Sequence, residues 1–298
     1  MTVEVREPRD DELPALAVML EEHALRVLGE SETSVAELRE WLAVPQLWMR
    51  MAEFEGRIAG YLDVVRQDES HADVDARGLD RGTIDAMLAE AQAHVHEVGD
   101  GRPQALHGVA QGDDDLARRA YEHDAWQLVR SAFRMLIDLD DELAEPVWPK
   151  EVSVRTARPD EAERVHEAHM DAFADHWDFR PQSFEQWRSF TVDRDDFDPS
   201  LWWLVEDRGE LAAVSLNRWH FSGDLQFGWV EVLGVRPPWR KRGLGAALLR
   251  HSFRDFRARG ATRVGLGVDA ENTTGAVRLY ERVGMRVVRR NDIYEKTL

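Results

Sequence analysis

The chain has 298 residues, 43% of them apolar, no cysteine and a formal net charge of −19. The length and apolar share fit two ordinary domains with sizeable cores, and the lack of cysteine excludes disulfides, a thiolate nucleophile and cysteine-ligated zinc. Residues 1–150 carry 15 Lys and Arg against 33 Asp and Glu, net −18, while 151–298 carry 23 against 24, net −1; such acidity disfavours nucleic acid and anionic membranes as partners and directs a polyanionic ligand to the second half.

In chain order, residues 3–6 read as a strand. Asp10 and Asp11 sit where they would cap a helix whose apolar positions Leu13, Leu16, Ala17 and Leu20 fall at helical spacing. A short helix over 35–42 precedes alternating strands at 48–54 and 58–65, joined through Glu55-Gly56-Arg57 as a hairpin. A strand near Val74, a helix over 84–98, a strand over 104–110, a helix over 114–122 and a strand over 133–139 complete the first half. Residues 140–151 are acidic and carry Pro146 and Pro149, as a linker does. The order then repeats. Val5-Arg6-x-x-Arg9-x-Asp11-Glu12 recurs as Val154-Arg155-x-x-Arg158-x-Asp160-Glu161, and Arg119-Ala120-Tyr121-Glu122 as Arg278-Leu279-Tyr280-Glu281. The reading is two similar domains in tandem, 1–139 and 152–298, joined by 140–151.

The most informative stretch is 230–249. A Val-rich apolar run ends at Pro237-Pro238, which cannot continue a central strand. Arg240-Lys241-Arg242-Gly243-Leu244-Gly245-Ala246 follows and leads into a helical pattern. A Gly-punctuated basic loop at a helix N-terminus offers free N–H groups and a favourable dipole to an anion, and a diphosphate fits best. It is neither a P-loop, since no Gly-Lys-Ser/Thr follows, nor a dinucleotide fingerprint, since Leu248 stands where a third Gly belongs. The first half carries Leu79-Asp80-Arg81-Gly82-Thr83-Ile84 in the same place. There Asp80 opposes an anion and Ile84 replaces Gly245, so the first copy reads as degenerate.

Arg240-x-x-Gly243-x-Gly245 after a strand resembles the loop of the Gcn5-related N-acetyltransferase (GNAT) superfamily. A second block supports it: a strand over 264–268, then Asn272 opening a helix that closes on Tyr280-Glu281-Arg282-Val283-Gly284-Met285, with Met285 where the family has Phe. In layout the chain is similar to the tandem, mycothiol synthase branch of that family, whose C-terminal copy is catalytic. The resemblance implies an α/β (α+β) fold of two GNAT-like domains. Each would be a mixed, mostly antiparallel twisted sheet with helices on both faces and a splayed central strand pair. It implies an N-acetyltransferase that moves acetyl from acetyl-CoA to a primary amine by direct attack; the alternative is a non-catalytic acyl-CoA-binding sensor.

The resemblance also assigns residues. Arg240, Lys241, Arg242, Gly243, Leu244, Gly245 and Ala246 would hold the pyrophosphate. Leu233, Gly234 and Val235 would take the pantetheine arm, with a bulge at Gly234 and the N–H near Leu233 polarising the carbonyl. Asn272 would bond pantetheine amides. Tyr280 is the candidate general acid, a phenol protonated at neutral pH. Glu231, set by period two on the face of Leu233 and Val235, is the candidate base, with His220 as its rival. His176, Trp177, Phe179, Arg218 and His220, in an aromatic setting with Trp187, Trp202 and Trp203, are expected around a small amine. No His spacing suggests a metal, His94-x-His96 lacking a third ligand. No signal peptide or bilayer-spanning run is seen, so a cytoplasmic monomer or homodimer is expected.

Overall fold

The computed structural model describes residues 3–29, 35–42, 47–99, 102, 104–139, 142–177, 179–194, 196–219, 224, 226–272 and 274–298. The first half runs β1 (Glu4–Arg6), α1 (Leu13–Leu28), α2 (Val35–Leu42), β2 (Leu47–Phe54), β3 (Arg57–Arg66), β4 (His71–Gly78), α3 (Arg81–Val98), β5 (Ala105–Ala110), α4 (Asp115–His123) and β6 (Gln127–Asp138). The second runs β7 (Val152–Thr156), α5 (Ala162–Phe173), α6 (Phe184–Thr191), β8 (Trp203–Asp207), β9 (Glu210–Trp219), β10 (Phe227–Val235), α7 (Leu244–Ala258), β11 (Arg263–Asp269), α8 (Ala276–Arg282) and β12 (Arg286–Thr297). No helix among the described residues is long and apolar enough to cross a membrane.

Two compact units result, residues 1–132 with 289–298, and residues 133–288. The first unit orders its strands β1-β2-β3-β4-β5-β12, and the second β7-β8-β9-β10-β11-β6. Each therefore takes its last strand from the far end of the other's sequence. β4–β5 and β10–β11 are parallel, whereas β1–β2, β2–β3, β3–β4, β5–β12, β7–β8, β8–β9 and β9–β10 are antiparallel. In the first unit, α3 and α4 cover one sheet face through Ile84, Met87, Leu88 and Tyr121, and α1 and α2 cover the other through Leu13, Leu16, Leu20 and Leu38. In the second, α5 and α6 pack one face with Val165, Ala168 and Trp187, and α7 the other with Leu244, Leu248, Leu249 and Phe253.

The repeated sequence signature has a physical basis. Arg6 donates to Glu12 at 2.6 Å and Glu53 at 3.0 Å; Arg155 donates to Glu161 at 2.5 Å and Glu206 at 2.7 Å. Each trio ties the first strand to the start of the first helix and to the neighbouring hairpin. The helix starts differ from expectation. Asp10 and Asp11 lie in a 3-10 turn with no side-chain cap bond, and the Arg9 N–H is instead taken by Glu12, as Arg158's is by Glu161.

Candidate active site

β10 and β11 pair only from Phe227 with Arg263 to Trp229 with Gly265, although β10 continues to Val235 and β11 to Asp269. Beyond Trp229 the strands part. The opening begins at a β-bulge: opposite β9, Val230 pairs with Asn217 and Val232 with Leu216, which makes Glu231 the extra residue. The bulge reverses the sidedness of the strand. Val230 packs with Leu249 and Phe253 of α7, Val232 with Val165 and Trp187 from α5 and α6, and Leu233 with Leu244 and Leu248.

Two expectations are corrected by this geometry. The irregularity falls at Glu231 rather than Gly234, which pairs regularly with Val214 and leaves room for Ala172, 3.0 Å from where a Cβ would stand. Glu231 also does not share the face of Leu233 and Val235, because period two breaks at the bulge. It lines, with Val232, a cavity of about 190 Å³ on the α5–α6 side. Trp187, Phe190, Phe197 and Trp202 form the aromatic wall, and His169, Arg194, Asp196 and Arg218 are polar groups beside Glu231. The Glu231 side chain is 46% exposed; Arg218 lies 3.8 Å from it and 3.3 Å from Asp196.

Of the residues expected around the acceptor, Arg218 is in this cavity. His176, Trp177 and Phe179 do not line it. His176 Nε2 instead meets Asn272 Nδ2 at 3.1 Å, Trp177 is exposed, and Phe179 is half-buried. His220 lies outside the described residues. His169, Phe190, Asp196 and Phe197 escaped the sequence reading. The signal for α6, which carries Trp187 and Phe190, was present as the capping box Ser183-x-x-Gln186.

His169 has a defined protonation. Trp187 Nε1 donates to His169 Nδ1 at 3.0 Å. Burial, with a smaller effect from His166, lowers the imidazole to about 4. At neutral pH the ring is uncharged with its proton on Nε2, so it serves as a donor and not as a base.

The loop after β10 divides its work. Lys241 and Gly243 both take left-handed conformations, φ +62° and +84°. Gly243 precedes α7 with no side-chain cap, leaving the first N–H groups of Leu244, Gly245 and Ala246 outside the helical ladder. Arg240, expected on the diphosphate, is engaged internally: it donates to both oxygens of Asp175 at 2.5 and 2.9 Å, to the Ala172 carbonyl at 3.0 Å and to the Val235 carbonyl at 3.1 Å. This pairing holds the Asp175 carboxyl below its usual range. Arg242 pairs with Asp207 at 2.9 Å. Lys241 is exposed and has no ion-pair or hydrogen-bond partner among the described residues. At Gly245 a Cβ would meet Leu279 at 3.1 Å, so its lack of a side chain also serves packing.

Tyr280 is 7% exposed, and burial pushes its phenol up to about 12, so it stays a proton donor. Asn272 Oδ1 accepts from Thr274 N and Ala276 N at the start of α8, and its amide nitrogen faces His176. The first unit shows the contrast. Its β4–β5 pair also parts, after Val74 with Gly108, but β3–β4 keeps one register throughout, without a bulge. Asp80 caps α3 by accepting from Thr83 N at 2.9 Å and Thr83 Oγ1 at 2.6 Å. A carboxylate thus already occupies the place an anion would take, and buried Ile84 packs on Gly78.

Comparison with known proteins agrees with this layout. The profile of the Acetyltransferase (GNAT) family matches residues 162–285. A mycothiol acetyltransferase of Streptomyces scabiei is 32% identical over 227 residues, 69% of this chain and 70% of that protein. Among solved structures, a GCN5-related N-acetyltransferase from Sphaerobacter thermophilus superposes with a TM-score of 0.86 at 27% identity, covering 99% of this chain and 95% of that one. A tandem GNAT protein from the clavulanic acid biosynthesis pathway shares the fold, with a TM-score of 0.79 at 15% identity over 99% of this chain and 98% of that one. With a parted parallel strand pair, an uncapped helix after it and these relatives, the chain belongs to the GNAT family of acetyltransferases.

Proposed function

We propose that the second unit transfers the acetyl group of acetyl-CoA to a primary amine of a small molecule by direct attack in a ternary complex, and that the first unit is a degenerate copy. The observation that carries the reading is the position of Glu231. It stands two residues past the last β10–β11 pair, at the start of the opening, and lines an aromatic cavity fit for a small amine. The diphosphate is taken by Lys241 and the free N–H groups of 244–246, while Arg240 shapes the loop. The pantetheine arm follows Leu233–Val235, and a backbone N–H near Leu233 polarises the thioester carbonyl. Glu231 takes one proton from the ammonium and the amine attacks; as the C–S bond breaks Tyr280 protonates the leaving thiolate, and the second nitrogen proton, lost as the amide forms, returns through solvent to the phenolate. His169 Nε2–H and Arg218 orient the acceptor.

Thiol release from acetyl-CoA across an amine panel tests this. The mycothiol acetyltransferase relatives put a mycothiol-precursor amine first, followed by polyamines and amino-sugar antibiotics. Turnover with any of them supports transfer. Saturable acetyl-CoA binding without turnover on the whole panel favours the sensor reading.

A further inference from the structure

A row of side chains crosses three adjacent strands of the first unit, β4, β5 and β12. Asp73 on β4 pairs in register with His107 on β5, and His107 with Glu295 on β12. His71 lies two residues before Asp73 and so points to the same face. The alternate residues Ala72, Val74 and Leu106 are buried in the core on the other face, which fixes the strands that present the row. His71 Nε2 is 3.1 Å from Asp73 Oδ1, and His107 Nε2 is 3.0 Å from Glu295 Oε2. The two rings meet edge to face at 4.2 Å, and His71, Asp73 and His107 each place a ligand atom within 4.8 Å of the others. The imidazoles are buried, with side chains 3% and 9% exposed, whereas Asp73 and Glu295 are 48% and 40% exposed. Gln67 donates to the other oxygen of Asp73 at 2.6 Å and so orients its carboxylate.

We propose that His71, Asp73 and His107, joined by Glu295, bind a divalent transition-metal ion of the zinc type. Two imidazoles and two carboxylates suit Zn²⁺, Co²⁺ or Ni²⁺; all-oxygen ions such as Ca²⁺ and Mg²⁺ are disfavoured. Ligand atoms on a tetrahedral ion at bonds of about 2.0–2.1 Å stand roughly 3.3 Å apart. The two nitrogen–oxygen separations already match, and the other separations within His71, Asp73 and His107, none above 4.8 Å, would close on binding. The half-exposed carboxylates form the entrance, and the net −18 of residues 1–150 favours a cation's approach. The ion would clip β12, from the end of the chain, to β4 and β5. The sequence conceals this site because its residues lie at 71–73, 107 and 295.

The test uses the full chain without an affinity tag, stripped with a chelator and desalted. Zn²⁺ is titrated against a chromogenic competitor, with thermal unfolding in parallel. One ion per chain and a rise in Tm are expected, with Co²⁺ giving the visible bands of a four-coordinate site. Asp73→Asn and Glu295→Gln, both at half-exposed positions, should each weaken binding by at least about tenfold and reduce the Tm rise. His107→Ala should abolish binding. Absence of saturable uptake, or uptake that all three substitutions leave unchanged, overturns the proposal. Neither result bears on acetyl transfer.

Discussion

The division of labour in the basic loop makes a sharp prediction. Arg240 makes four hydrogen bonds, two to Asp175 and one each to the carbonyls of Ala172 and Val235. The ion pair is partly exposed, 27% and 53%, so it contributes only about 0.2–1 kcal/mol, and each carbonyl bond adds roughly 0.5–1.5 kcal/mol. Arg240→Ala should therefore cost about 1–4 kcal/mol and lower Tm by roughly 2–16 °C for a unit of this size. Lys241→Gln removes a charge with no internal partner. It should leave Tm unchanged and raise the acetyl-CoA Kd by roughly 10–100-fold through one lost charge-assisted contact. Asp175→Asn separates the readings. If Arg240 is a clamp, that change loosens the loop, lowering Tm and weakening acetyl-CoA. Calorimetric titration and thermal unfolding read both quantities. Tighter acetyl-CoA binding in Asp175→Asn would show Arg240 to be a ligand held back by its carboxylate, and would refute the reasoning.

The other predictions concern chemistry and pH. Tyr280→Phe should lower kcat by roughly 10²–10⁴ with acetyl-CoA affinity unchanged; unaltered kcat in a stable variant would leave Tyr280 a packing residue. Glu231→Gln should lower kcat/KM with a deficit that shrinks at high pH, where the amine arrives deprotonated. His220→Ala should keep the acidic limb of the pH profile, and the reverse pattern makes His220 the base. Calorimetry should find one acetyl-CoA per chain, since Asp80 already caps α3; a stoichiometry of two contradicts the degenerate copy. For His169, the folded imidazole lies at about 4 and the unfolded one near 6.5. The unfolded state thus binds the extra proton first, and stability falls as pH drops from 6.5 to 4. His169→Gln should flatten that part of the Tm–pH curve, and an unchanged slope would assign it to other groups.

Much of the fold was legible because its signals are local. The first hairpin announces itself by alternation around Gly56, and the loop before α7 by its glycines. The cavity was less legible because its parts are distant. His169 and Trp187 meet through a hydrogen bond across 18 positions, and no local pattern reports it. The bulge at Glu231 was misplaced for a related reason. A glycine in a strand invites a bulge, yet Gly234 answers to helix packing, and the register shift depends on how β9 pairs with β10. For Arg240 the sequence shows its charge but not its carboxylate partner Asp175, 65 residues upstream.

The exchange of last strands bears on how the protein is made. The first unit cannot finish its sheet until residues 289–298 have been synthesised, after all of 133–288. At about 5–20 residues per second that is a delay of roughly 10–30 s. Throughout it, the edge of β5 that β12 later covers stands unpaired on the nascent chain, open to any passing strand. The second unit has β6 in hand before its own β7 appears. Synthesis therefore supplies every strand of the second unit before the last strand of the first is complete.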